Sequence, residues 1–428
     1  MATTVLLVSM FVLLAIGVPI GVCLALPIML MILVEPIVTP SYIANTLYTG
    51  VANFTMMAMP FFMLSGAIMD SGGLSKRLVR IAQSLIGRVT GSLGLVAIIA
   101  CMFFGAVSGS ANATVAAIGA IMIPQMVKNG YNKYYATALV AAAGSLGIIV
   151  PPSFPMVLYA VTENVLVGTL FIAGIGPALV VAAVLILINY LYCKKNHIRG
   201  EEAASLKEFG AAMKDGWPAV LMPVVVLGGI YGGIFSATEA SVVSCVYGII
   251  VGMFYYKELK FANLFNMYRD NAIFIGGTML VLAPSAALGK VFAIQNVTTA
   301  INNFFLGIST NQYVILSIIF AILFLAGMFV QTSPCIVILG PILYSVAAGV
   351  GIDPYHFGII MILALSIAFV TPPVASNLFV ASSMTGIPLM KITQYIIPFI
   401  IGLVICLFVV GYCPAITWSF VRLFELLG

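Results

Sequence analysis

Apolar runs long enough to cross a bilayer recur along the whole chain. A helix needs about 20 apolar residues to span the hydrocarbon core, and inside that core every backbone N–H and C=O must be paired within the protein. Because the runs are continuously apolar rather than alternating, a β-barrel is excluded. Only 7% of the residues are charged, where a soluble domain carries roughly a quarter. The sequence therefore predicts an all-α polytopic membrane protein.

The first apolar stretch, Thr4 to Val34, has no basic region before it and no small-residue cleavage site, so it is read as mature membrane segment rather than signal peptide. The seven cysteines form no CxxC pair and are read as small buried hydrophobes, not metal ligands or disulfides. Nothing in the charge pattern points to nucleic acid. No Walker-type loop, no clustered carboxylates and no His/Cys constellation is present, which argues against an ATP-driven pump and against an enzyme.

The basic residues instead fix topology. Lys76, Arg77, Arg80, Arg88, Lys128, Lys133, Lys194, Lys195, Arg199, Lys207, Lys214, Lys257, Lys260, Arg269 and Lys391 fall between apolar segments, leaving only Lys290 and Arg422 elsewhere. By the positive-inside rule the larger group is cytoplasmic. The N-terminus is then periplasmic, the Gly17–Gly21 break is an inner turn, and the Glu35–Asn53 stretch is an outer loop. Residues 74–89 form an amphipathic helix, with Leu74, Leu78, Ile81, Ala82 and Leu85 on one face, predicted to lie along the interface. Residues 194–217 read as a cytoplasmic linker between two halves.

Those halves are related by a shift of 221 residues. Gly130 aligns with Gly351, Tyr134 with Tyr355, Ser145 with Ser366, Pro151-Pro152 with Pro372-Pro373, and Pro177 with Pro398. Upstream of each copy is another odd segment, with turns at Ser108–Asn112 and Gln331–Pro334. Arg88 and Lys128 place both ends of the first segment inside, whereas the second has uncharged flanks and both ends outside. Each must enter and turn back, so the copies are inverted, and each carries a re-entrant hairpin and a broken transmembrane helix.

Paired prolines unwind a helix and bare carbonyls that must face protein or a polar cavity. Carbonyls and hydroxyls together suit a small hard cation. One cation site is expected per copy: Ser108, Gly109, Ser110, Asn112, Gly144 and Ser145 in the first, and Gln331, Thr332, Ser333, Ser366 and Thr371 in the second. The competing reading is that small residues merely allow close helix packing; their repetition in both copies favours ion sites. Acidic residues (Glu35, Asp70, Glu163, Glu239, Asp353) fall at segment ends, and His197 and His356 lie in the linker and at a helix start. Proton relays use buried Asp, Glu or His, so the residues favour Na⁺.

The runs SGSANATVAAIGAIMIPQMVKNGY, IIVPPS, GIFSATEA, GIDPYHFG and VTPPVASNLFVAS together resemble the large membrane subunit of tripartite ATP-independent periplasmic (TRAP) transporters, over essentially the whole chain. The resemblance implies elevator-type, Na⁺-coupled uptake of a small organic anion across a bacterial inner membrane. Expected substrates are an acidic sugar such as sialic acid or a C4-dicarboxylate. The neutral Gln331, where many relatives carry an acid, tilts the expectation toward the sugar. The substrate is expected near Asn112, Ser153, Ser376 and Asn377. Implied partners are a small four-helix membrane subunit, a periplasmic substrate-binding protein and the lipid bilayer; no cofactor is expected beyond Na⁺. The implied transport domain comprises residues 91–160 (hairpin 91–128, broken helix 134–160) and 312–383 (hairpin 312–348, broken helix 353–380). Residues 1–90, 161–193, 218–311 and 384–428 form the scaffold and its arms. The alternative is a stand-alone ion-coupled carboxylate carrier.

Overall fold

The computed structural model describes residues 2–36, 38–86, 89–198 and 206–427; Arg88 and Arg199, assigned above to the basic face, lie outside them. The described residues are helical throughout, with no strand among them, and nine helices are long and apolar enough to cross a membrane. The chain is a multi-pass helical membrane protein.

The first half runs α1 (Ala2–Ala15), α2 (Ile20–Val34), α3 (Pro40–Val51), α4 (Ala58–Ser71), α5 (Leu74–Leu85), α6 (Ser92–Ser108), α7 (Ala111–Lys128), α8 (Lys133–Gly144), α9 (Leu146–Ile149), α10 (Phe154–Thr162) and α11 (Val167–Lys195). The second runs α12 (Leu206–Tyr231), α13 (Ala237–Ile250), α14 (Phe261–Ile294), α15 (Val297–Ile308), α16 (Gln312–Phe329), α17 (Thr332–Gly349), α18 (Pro354–Ala368), α19 (Ser376–Thr385), α20 (Leu389–Tyr412) and α21 (Pro414–Leu427). Hairpins α6–α7 and α16–α17 each precede a broken helix, α8–α9–α10 and α18–α19.

Contacts at the helix ends establish the inversion. The end of α7, the start of α8, the end of α19 and the start of α20 meet around Lys128, Lys133, Met384 and Lys391. At the other end, the Tyr159 hydroxyl at the close of α10 donates to Pro354 O at 2.7 Å. The first broken helix therefore runs away from the lysine end and the second runs toward it. The first hairpin opens at the lysine end, where Gly94 N donates to Tyr131 Oη at 3.2 Å. The second opens at the far end, where the Tyr412 hydroxyl lies against Ser317 Oγ at 2.5 Å and Tyr313 O at 3.3 Å.

The repeated residues start the two broken helices in the same way. Gly130 and Gly351 have φ of 86° and 84°, left-handed values that cost glycine nothing. Two residues on, Asn132 accepts from Tyr134 N at 2.9 Å and Asp353 accepts from Tyr355 N at 2.8 Å, each satisfying an orphan donor of the first turn. The SATE run opens α13 as a capping box: Ser236 Oγ accepts from Glu239 N at 3.2 Å, and the Glu239 carboxylate accepts from Ser236 N at 2.8 Å.

Several expectations need adjusting. The Glu35–Asn53 stretch is not a plain loop but contains α3, started by the Thr39 cap and Pro40 at its first position. The linker is much shorter than 194–217, because α11 continues through Lys195 and α12 is already helical at Leu206. On the amphipathic helix, Leu74, Leu78, Ile81 and Ala82 are buried as expected, but Leu85 at its end is 57% exposed.

That helix, α5, is clamped rather than loosely laid down. Arg77 donates to Glu258 Oε1 at 2.8 Å and to Asp215 Oδ1 at 3.4 Å, and its guanidinium stacks 3.6 Å from the Tyr256 ring centroid. The Glu258 carboxyl sits below its usual range: burial opposes its charge, and the hydrogen bonds and charges of Arg77 and, to a lesser degree, Lys76 outweigh that opposition. A charge-assisted bond and a stacked cation together are worth roughly 1–3 kcal/mol, so Arg77→Ala is expected to lower the melting midpoint of detergent-solubilised protein by several degrees. The stabilisation is present above the unfolded carboxylate pKa of about 4.3 and is lost as pH falls through the lower folded value. The gap between wild type and Arg77→Ala should therefore narrow on acidification; a gap independent of pH would show that stacking, not charge, holds the arm.

Candidate functional site

The first hairpin tip is built by backbone economy. Helix α6 ends at Ser108, Gly109 turns through φ 57°, and Ser110 caps α7 by accepting from Ala113 N at 3.4 Å. Thr114, one turn into α7, reaches back: its hydroxyl donates to Ser110 O at 2.8 Å and lies 3.2 Å from Ser108 Oγ. Against this tip sits the first helix break, held by Phe154 N donating to Gly109 O at 3.4 Å and Ser153 Oγ donating to Ile148 O at 2.6 Å. The approach is close enough to require glycine. A Cβ on Gly147 would fall 2.7 Å from Ser110 O and 2.4 Å from Thr114 Oγ1.

The second tip is less tied. Gln331 is the residue before α17 and is exposed, and no side chain caps that helix start. In the break beside it, Asn377 N donates to Phe369 O at 3.0 Å, and Thr371 Oγ1 donates back to Ile367 O at 2.8 Å. Pro151-Pro152 and Pro372-Pro373 occupy the two non-helical stretches, as their spacing required.

The two tips meet. A cavity of about 130 Å³ is lined by Gly109, Ser110 and Asn112 from one and by Gln331, Thr332 and Ser333 from the other, with Phe154, Pro155 and Ser376 from the breaks. A smaller cavity of about 70 Å³ adjoins it between Val330, Gln331, Thr332, Ala368 and Phe369. The remaining expected site residues line neither. Ser145 Oγ donates to Ser366 O at 3.3 Å, Ser366 Oγ donates to Leu363 O at 2.7 Å, and Gly144 packs on Val115. Ser108 and Ser153 are almost fully buried behind the lining. Asn377 donates to Ala141 O at 3.0 Å, joining the second copy's break to the first copy's α8.

Residues not singled out in the sequence complete the walls: Met63 from α4, Phe274 from α14, and Ile148 and Phe369 from the breaks. Nothing in the sequence marks Phe274, because its place depends on how a long helix leans. Thr114 carried a usable signal, lying four residues beyond Ser110 on the same helical face.

The electrostatics follow from the helix ends. Four helices, α7, α10, α17 and α19, begin at the larger cavity, and a helix start carries unpaired N–H groups and the positive end of its dipole. No charged side chain lines the cavity. Asn112 Oδ1 and Ser376 Oγ are buried at it without hydrogen-bond partners. The opposite ends of α6, α9, α16 and α18 bring carbonyls to the same region. Helix starts of this kind favour negative charge, and helix ends with bare carbonyls favour a small cation.

Residues 7–416 match the family described as "Tripartite ATP-independent periplasmic transporter, DctM component". The chain belongs to this family. It is 40% identical over 95% of its length to the isethionate TRAP transporter permease protein DctMQ of Oleidesulfovibrio alaskensis, of which it spans 64%. It is 36% identical to the C4-dicarboxylate TRAP transporter large permease protein DctM of Pseudomonas aeruginosa, over 88% of both chains. It is 34% identical to the sialic acid TRAP transporter large permease protein SiaM of Vibrio cholerae, over 95% of this chain and 96% of that one. The fold is also similar to the crystal structure of the Alcanivorax borkumensis YdaH transporter, described as having an unusual topology, with a TM-score of 0.65, 13% identity and coverage of 90% and 91%.

The packing of Gly147 yields a direct test. Gly147→Ala should push Ser110 and Thr114 apart and lower stability by roughly 1–3 kcal/mol. Gly276→Ala, where an added Cβ meets nothing within 4 Å, should be neutral or slightly stabilising. Thermal unfolding in detergent that ranks the two variants equally would contradict the described contact.

Proposed function

We propose that this chain is the permease of a Na⁺-coupled uptake system for a compact organic anion, moving it by an elevator displacement of the hairpins and broken helices against the remaining spans. The observation that carries the reading is the single cavity shared by both hairpin tips, with four helix starts directed at it and no charged side chain in its wall. An anion there is held by backbone N–H groups, by Ser376 Oγ and by the Asn112 and Gln331 amides. Na⁺ is assigned to the carbonyl side of each tip, at Ser108–Ser110 with Thr114 in the first copy and beside Gln331, Thr332 and Phe369 in the second. Ser145 and Ser366 become positioning residues that tie the two breaks together.

Relatives named for isethionate, C4-dicarboxylate and sialic acid support a compact organic anion as the substrate class. A small membrane subunit and a periplasmic binding protein complete the system, the orientation having the lysine end in the cytoplasm of a bacterial inner membrane.

Reconstituted with both partners, the chain should drive uptake with an inward Na⁺ gradient and not with a proton gradient alone. Uptake by the chain without partners would instead favour the stand-alone carrier. A hydrogen bond to a charged group is worth about 1.5–3 kcal/mol. Ser376→Ala is thus expected to weaken anion half-saturation by about tenfold or more while leaving the Na⁺ titration in place. Ser110→Ala should do the reverse, shifting the Na⁺ titration first. Identical effects of the two variants would dissolve the separation of anion and cation sides.

A further inference from the structure

The lysine end holds another cavity, of about 950 Å³, that the transport reading does not use. Its rim carries Lys128 at the end of α7, Lys133 at the start of α8 and Lys391 at the start of α20. Lys133 and Lys391 approach the same aromatic ring, their ammonium nitrogens 5.2 and 5.8 Å from the centroid of Tyr134. No acidic side chain lines this cavity, and none of the three lysines is in an ion pair among the described residues.

Lysines at helix ends on one side of a membrane protein are ordinary. Convergence is not. Three ammonium groups around one opening repel one another, and the Tyr134 ring offsets only part of that positive charge, so the rim favours an anion. The wall below the rim is apolar, formed by Ile123, Val127, Met384 and Pro388, with Val127 and Met384 exposed on its flank. A free inorganic anion has no use for that wall. The pseudo-symmetric positions at the opposite end are Gly349, Pro354 and Leu170, so the feature belongs to one face only and is not a by-product of the repeat.

We infer that this cavity is a binding site for an anionic phospholipid, whose phosphate headgroup lies between Lys128, Lys133 and Lys391 while an acyl chain follows the wall of Ile123, Val127 and Met384. Basic pockets between membrane helices hold headgroups in this way. Seated there, the lipid bridges α7 and α8 of the first copy to α20 of the second. The inference stands independently of the identity of the transported anion or the coupling ion.

The experiment measures lipid retention by the purified full chain, using native mass spectrometry after exchange into micelles doped equally with phosphatidylglycerol and phosphatidylcholine. Wild type should retain phosphatidylglycerol at least about tenfold over phosphatidylcholine. The triple variant Lys128→Gln, Lys133→Gln, Lys391→Gln should lose that preference, and the corresponding triple Arg variant should keep it, which separates charge from folding. Equal retention of both lipids by wild type, or an undiminished preference in the Gln variant, would overturn the inference. Displacement of phosphatidylglycerol by millimolar inorganic phosphate would also overturn it, by assigning the rim to a soluble anion.

Discussion

The hydrocarbon core leaves no room for an unpaired backbone group, and this chain interrupts its helices in that core at two hairpin tips and two breaks. Each interruption has to find partners inside the protein, and the partners come from one another. The first break gives Phe154 N to Gly109 O of the tip, and its Ser153 hydroxyl closes onto Ile148 O. The second gives Asn377 N to Phe369 O and sends the Asn377 amide across to Ala141 O. The position of the cavity is thus a consequence of solvation. Unwound backbone must be gathered in one sheltered place, and that place then collects the ends of the helix dipoles.

Much of this was legible in the sequence because it is written in residues with strong local rules. Paired prolines and the Gly130 and Gly351 turns each dictate backbone without reference to the rest of the fold. What was not legible depends on packing between distant segments. Ser145 and Thr371, expected as cation ligands because they are hydroxyls near a break, donate to Ser366 O and Ile367 O, and no local pattern announces the first of these contacts. Helix α3 was hidden because its cap, Thr39-Pro40, follows other prolines that read as loop. Phe274 reaches the cavity only through the lean of α14, which no local pattern encodes.

The two copies share an architecture but differ in how their tips are hydrogen-bonded. The first tip is stitched by Ser108, Ser110 and Thr114, whereas the second begins α17 without a side-chain cap and leaves Gln331 exposed. A stitched tip holds carbonyls at fixed distances, which suits a small ion. An open helix start leaves N–H groups for a guest to complete. Each broken helix also packs its second half on the other copy, α10 against α17 and α18 and α19 against α7 and α8, so the copies interlock rather than sit side by side.

The hydrogen bond from Ser145 Oγ to Ser366 O joins residues that the 221-residue shift makes equivalent, so it lies close to the internal two-fold axis. Across a two-fold axis each serine hydroxyl can donate to the carbonyl of the other, giving two equal bonds. Only one of the pair is made here, because Ser366 turns its hydroxyl back to Leu363 O instead. The two halves have therefore parted company at the axis itself, one copy giving and the other receiving. Because both halves belong to one polypeptide, mutation can specialise the giving and receiving copies separately.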